Sequence, residues 1–138
     1  MESLWPRLDN VAHDVPVQIL KDQADHFNKD MNGILKCEVK SSEVSTQGVF
    51  IPGIDKDFTS KLIVSSPHLN GYSLVLVRVN NFVSKAYPCE VINCVNDNSI
   101  NGMTANNAEE FKGILGSILK SNEVITALQN MIAQTQSL

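Results

Sequence analysis

Leu74-Val75-Leu76-Val77 is the stretch whose reading decides the fold. It is apolar on both parities, so as a strand it has no wet side. The position it fits is the centre of a sheet, covered on both faces. Strand patterns extend in both directions from it. Leu35, Cys37 and Val39 alternate with Lys36, Glu38 and Lys40, as in a strand with one solvated face. Gly48 and Pro52-Gly53 bracket a short strand, Val49-Phe50-Ile51; residues 54–60 read as a loop, and Lys61 to Ser65 as a further strand. Pro67 to Gly71, ending in Asn70-Gly71, is a turn, and Asn80-Asn81 opens a loop before a strand from Ala86 to Val95. Pro88, near the start of that strand, implies an edge position or a bulge, because proline cannot donate to a ladder.

Outside this region the apolar spacing is helical. Asp14 ahead of Pro16 supplies a cap and a pre-set φ, and Asn32-Gly33 a left-handed stop. Between them Ile19, Leu20, Gln23, Ala24, Phe27 and Met31 make one face, apolar except at Gln23. Lys21, Asp22, Asp25, Asn28 and Lys29 fall mainly on the other. Residues 96–107 are polar and Asn-rich and read as a connecting loop, closed by Asn106 and Glu109 in a pattern close to a capping box. Phe111, Ile114, Leu115, Ile118 and Leu119 then form one helical face, and Val124, Ile125, Leu128, Met131 and Ile132 a second. The second is rotated from the first by roughly a quarter turn, and Ser121-Asn122 can hold the break. The reading is therefore two helices; the alternative is one long helix with Ile114, Ile118, Ile125 and Ile132 along a seam. Helix, then strands, then helices gives a single α+β domain over residues 1–138. It comprises an arm at 1–14, an N-terminal helix, an antiparallel meander of four or five strands, and a C-terminal helical pair packed on the sheet.

The 138 residues suffice to bury one core, and 43% apolar with 19% charged is ordinary for a soluble domain. With 11 Lys and Arg against 15 Asp and Glu, the net charge is −4. That balance lacks the positive field that non-specific nucleic-acid binding requires. No apolar run reaches membrane-spanning length, and the start, Met1 to Leu8, has no basic region followed by an apolar one. Cys37, Cys89 and Cys94 are an odd set, and the last two share one predicted strand, which argues against a disulfide scaffold and for the cytoplasm.

No motif in the chain carries recognisable catalytic chemistry. Asp22, His26 and Asp30 fall at i, i+4 and i+8 on the first helix, but a metal site needs further ligands that the sequence does not mark. His13 and His68 sit in expected loops, where a solvated imidazole is the ordinary case. The cysteines lack CxxC spacing, and Cys37 lies on the apolar parity of its strand, as a small core residue does. Gly113 and Gly116 lie inside a helix rather than before one, so they read as close-packing positions and not as a phosphate loop. No catalytic residue, metal ligand or cofactor is assigned.

Two binding hypotheses and an enzymatic one remain. The leading expectation is a non-enzymatic protein-binding module, such as an adaptor, inhibitor or immunity-type protein, acting as a small homo-oligomer. Its contacts would be Trp5 on the arm and the seam Ile125, Leu128 and Ile132, which a homodimer would share. The alternative is a binder of a small anionic ligand such as a nucleotide. It would use Arg78, the charged residue in the strongest strand, with Glu90 across the hairpin and Asn98 in the Asn-rich loop. Arg78 and Glu90 would otherwise form a cross-strand ion pair. The third possibility is an enzyme with unrecognised residues.

Overall fold

The protein is described from a computed structural model over residues 2–8, 14–44, 57–95 and 102–138. The element order is α1 (Pro16–Met31), β1 (Lys36–Val44), β2 (Asp57–Ser66), β3 (Tyr72–Phe82), β4 (Lys85–Asn93), β5 (Met103–Ala105), α2 (Ala108–Leu119) and α3 (Asn122–Gln136). The strands form one antiparallel sheet in the order β1-β2-β3-β4-β5. The architecture is the expected α+β meander, with two C-terminal helices.

Local signals explain most boundaries. Pro16 stands at the first helical position of α1, and Asn32 and Gly33 end it with positive φ. Asp14 is not the cap, however: Val15 occupies that position, and no side chain caps the helix. Asn70 and Gly71 both take positive φ in the β2–β3 turn, where such residues avoid the steric cost of the left-handed region. Ser121 divides α2 from α3, its hydroxyl accepting from the Val124 N–H at 3.4 Å. The cap of α2 is Asn107 rather than Asn106. Its side chain accepts from the Glu110 N–H, while the Glu110 carboxylate accepts from the Asn106 N–H at 2.7 Å.

Some strand boundaries among the described residues differ from the sequence reading. Residues 57–60 extend β2 rather than forming a loop; only Phe58 among them is apolar, and the polar Thr59 and Ser60 are buried. Met103–Ala105 is a fifth strand inside the expected Asn-rich loop, too short to show a period. The strand expected at Val49-Phe50-Ile51 lies outside the described residues.

The three helices join the inner face of the sheet in one core. Leu20, Phe111 and Val124 from the helices cluster there with Leu62, Val64, Val77, Val79 and Val91 from the strands. The inner face also carries polar groups, and each is satisfied. Ser66 and Thr135 share a buried hydrogen bond of 2.8 Å, and no buried side-chain N or O atom among the described residues lacks a partner. Asn28, expected in the set that falls mainly on the polar face of α1, turns to the edge strand. Its amide nitrogen donates to the Cys37 carbonyl at 2.8 Å and its amide oxygen accepts from the Cys37 N–H at 2.7 Å. Those two bonds occupy backbone groups that an edge strand would otherwise present to another chain.

Gly113 and Gly116 do not mark close packing, because a Cβ added at either meets nothing within 4 Å. Gly102 does: a Cβ there would come within 2.5 Å of Glu90 Cγ.

β3 is central, and the described helices cover its inner face. Leu62 pairs with Val77 and Ile63 with Val75, leaving Leu76 unpaired in a bulge. Leu76 and Val77 therefore both enter the core, while Val75 is half-buried outside the core cluster. The run apolar on both parities thus contains that bulge. Leu76→Asp should leave the protein unfolded or insoluble. An unpaired charge there costs about 3–5 kcal/mol, against a domain stability of about 5–15 kcal/mol. A soluble variant with the wild-type circular-dichroism melt would show that Leu76 is not a core position.

Candidate functional site

The outer face of the sheet has no described helix on it, and its register brings together residues far apart in sequence. Antiparallel partners share a face, so side chains line up in rows across the strands. Lys40 of β1 lies opposite Lys61 of β2, and Lys61 lies opposite Arg78 of β3. Three cations thus stand side by side, with neighbouring Cβ atoms about 4.5–5.5 Å apart. All three are exposed. Lys40 reaches Glu38 at 3.8 Å, the one ion pair within 4.0 Å among the described residues. Lys61 and Arg78 have no carboxylate partner there.

The flanking rows differ in character. On one side Glu38, Ile63 and Val75 form a row, and Ile63 is buried. On the other side stand Ser42, Thr59, Asn80, Glu90 and Thr104. The Thr59 hydroxyl donates to Asn80 Oδ1 at 2.9 Å, and Asn80 Nδ2 donates to Glu90 Oε1 at 3.3 Å. This polar chain borders a hollow of about 310 Å³ whose lining includes Asp57, Asn80, Phe82, Pro88, Glu90 and Thr104. Phe82, 44% exposed, offers an aromatic ring at its rim.

Arg78 is therefore on the open face, as a ligand contact must be, but its expected partner is displaced. Arg78 stands opposite Ile92, and Glu90 stands opposite Asn80. The expected Arg78–Glu90 ion pair is absent from the described residues. The cause is a bulge: Phe82 pairs with Lys85 and Asn80 with Glu90, so Asn81 alone faces the stretch Ala86 to Cys89. Pro88 lies within that stretch, as its missing N–H requires. Asn98 lies outside the described residues. Lys40 and Lys61 were missed, because a row across strands is visible only once the register is known.

The other candidates fall elsewhere. Trp5 is 80% exposed, so it does not close over the core. On α3, Val124, Met131 and Thr135 are buried, Leu128 and Ile132 are half-buried against the core, and Ile125 is 39% exposed. Ile125, Leu128 and Ile132, expected as partner contacts, therefore lie on the flank of the buried stripe, not at its centre. No group of His, Cys, Asp and Glu among the described residues could hold a metal ion. Burial pushes the thiols of Cys37 and Cys89 up to about 12 and about 11, which leaves them protonated and unreactive near neutrality. Cys94 is exposed; burial raises its thiol too, against the downward pull of Arg78 and Lys61 nearby. No described helix is long and apolar enough to cross a membrane. Compared with protein-family models, curated proteins and solved structures, the chain finds no match.

Like charges directly opposite each other destabilise a sheet by up to about 1 kcal/mol. Lys61→Thr should accordingly raise the melting temperature at low ionic strength, and high salt should erase the gain by screening. Lys36→Thr is the control, since Lys36 lies opposite Ser65 and has no cationic cross-strand neighbour. Equal shifts in both variants at low salt would show that the row carries no repulsion.

Proposed function

We propose that this is a non-enzymatic binding protein whose open sheet face takes a small anionic ligand of the nucleotide class. The observation that supports it is the row Lys40, Lys61 and Arg78, where two of three adjacent cations lack a carboxylate partner among the described residues. A phosphate group set between Lys61 and Arg78 turns their repulsion into charge-assisted hydrogen bonds, each contributing about 1.5–3 kcal/mol. Guanidinium suits this task, because its planar fork matches two phosphate oxygens. The hollow beyond Asn80 fits the other half of such a ligand. Phe82 offers a stacking surface, while Asp57, Glu90 and Thr104 offer acceptors for sugar hydroxyls. The carboxylates lie on the side away from the cation row, so phosphate and nucleoside have one favourable orientation.

Calorimetric titration with a nucleoside triphosphate and with pyrophosphate tests the reading. Binding should be weak, because the face is exposed and association carries its own cost, and it should fall steeply with salt. Replacing Lys61 and Arg78 together with Ala should weaken both ligands by about tenfold or more at unchanged folding. Replacing Phe82 with Ala should weaken the nucleotide alone. Absence of any heat at millimolar ligand and low salt, or equal affinity in the Lys61 and Arg78 double variant, would sink the proposal.

The flank of α3 favours a second reading, self-association. Ile125 is exposed beside half-buried Leu128 and Ile132, so a twin helix could bury that strip in a two-fold contact. Because Ile125 is outside the core, Ile125→Lys should stay folded and convert a dimer to a 15.2 kDa species by light scattering. A wild-type protein already monomeric at high micromolar concentration would exclude this reading.

A further inference from the structure

The inner face of the sheet holds a cavity of about 230 Å³ between α1, the sheet and the C-terminal helices. Its floor is Cys37, Leu62, Val64 and Leu76, none more than 4% exposed. Phe27, Leu119 and Leu128 wall it, one from each helix. The mouth is made by Gln23, His26 and Asp30. With Phe27 these fall at i, i+3, i+4 and i+7 on α1, a single stripe of the helix. This explains why Gln23 interrupts an otherwise apolar face: it stands at an opening rather than on the core.

The contents of such a cavity follow from its lining. At about 30 Å³ per molecule, seven or so waters would fit, but each needs two to four polar partners, and the floor offers none of that density. A cavity of about 150 Å³ lined by apolar side chains is known to stay dry and accept a benzene-sized guest. This one is larger and open at a polar end. Asp30 is the only formally charged group in its described lining. The adjoining hollow shares Gln23 and His26 and adds Asp14 and Asp22 against the single cation Lys112, so the approach is also net acidic.

We propose that this cavity binds a small amphiphilic cation, with a single-ring apolar body on Leu62, Val64 and Leu76 and an ammonium head at Asp30, as in an arylalkylamine. The body removes apolar floor from water, and the head places a donor and a positive charge at the acidic rim. Binding here uses the face of the sheet opposite the cation row and does not depend on the nucleotide reading.

Phenethylamine, phenethyl alcohol and phenylacetate share one ring and differ in the head, so they serve as probes. Nitrogen-15 NMR titration should show saturable shifts for amide groups from Gln23 to Asp30 and at Leu119 and Leu128. The amine should bind several-fold more tightly than the alcohol, and the carboxylate more weakly than either. Asp30→Asn should bring the amine down to the affinity of the alcohol and leave the alcohol unchanged. Leu128→Phe, which fills the cavity, should abolish binding of the amine; if that variant does not fold, Leu119→Phe fills it from the other helix. The proposal is overturned if no probe gives saturable shifts, if phenylacetate binds as tightly as the amine, or if a folded cavity-filled variant keeps its affinity.

Discussion

Leu76, the residue of β3 left without a partner on β2, sets the chemistry of both faces of the sheet. Side chains alternate strictly along a strand, so an unbroken β3 with Leu74 and Leu76 inward would send Arg78 inward as well. The bulge between the Leu62–Val77 and Ile63–Val75 pairs absorbs one residue and reverses the parity. Val77 and Val79 then enter the core, and Arg78 comes out beside Lys61. A single extra residue thus avoids burying an unpaired guanidinium, whose desolvation would consume a large part of the stability of a small domain. It also fills the core more densely, since Leu76 and Val77 occupy it side by side. The open-face cation row and the cavity floor are consequences of the same local irregularity.

What was legible in the sequence was local. Asn32-Gly33 and Asn70-Gly71 mark positive φ because few other residues tolerate it, and Ser121 marks a helix start because its hydroxyl can meet an orphan N–H. The helix–strand–helix order follows from the period of apolar residues alone, and it fixed the α+β architecture. Arg78 stands out as a charge in an apolar run, and it lies exposed on the outer face beside Lys61. What failed depended on register. Glu90 is expected near Arg78 across the hairpin, and the bulge from Ala86 to Cys89 sets it opposite Asn80, in the neighbouring row. Lys40 and Lys61 look like ordinary solvated positions until the pairing of three strands aligns them with Arg78. Asn28 looks equally ordinary on a helical wheel, yet it closes the backbone of an edge strand.

The cavity was illegible for a different reason. Its walls come from Phe27, Leu119 and Leu128, each of which reads as routine core in its own helix. Packing density is a property of how three helices settle on one sheet, and no single periodicity records a shortfall. The one local trace was Gln23, a polar residue within an apolar stripe. Such an interruption has two physical causes, a buried polar contact or an opening, and only the placement of α1 over β1 and β2 separates them.

An open sheet face needs charge to stay soluble and to resist pairing with other chains, so cations on it are not by themselves evidence of a ligand. Their arrangement is the informative part. Charges serve solubility best when both signs are interspersed, which also gives favourable cross-strand pairs. This face has carboxylates available for that purpose, and one of them, Glu38, does pair with Lys40. Glu90, however, is held by Asn80 within a polar chain that begins at Thr59, and it does not reach Arg78. Lys61 and Arg78 are left adjacent and unpaired among the described residues, the least favourable cross-strand combination. Replacing either by threonine or serine would keep the face polar and remove the repulsion. An anion between the two cations relieves the same repulsion without changing a residue, and that difference is why the row, rather than the charge count, argues for a binding site.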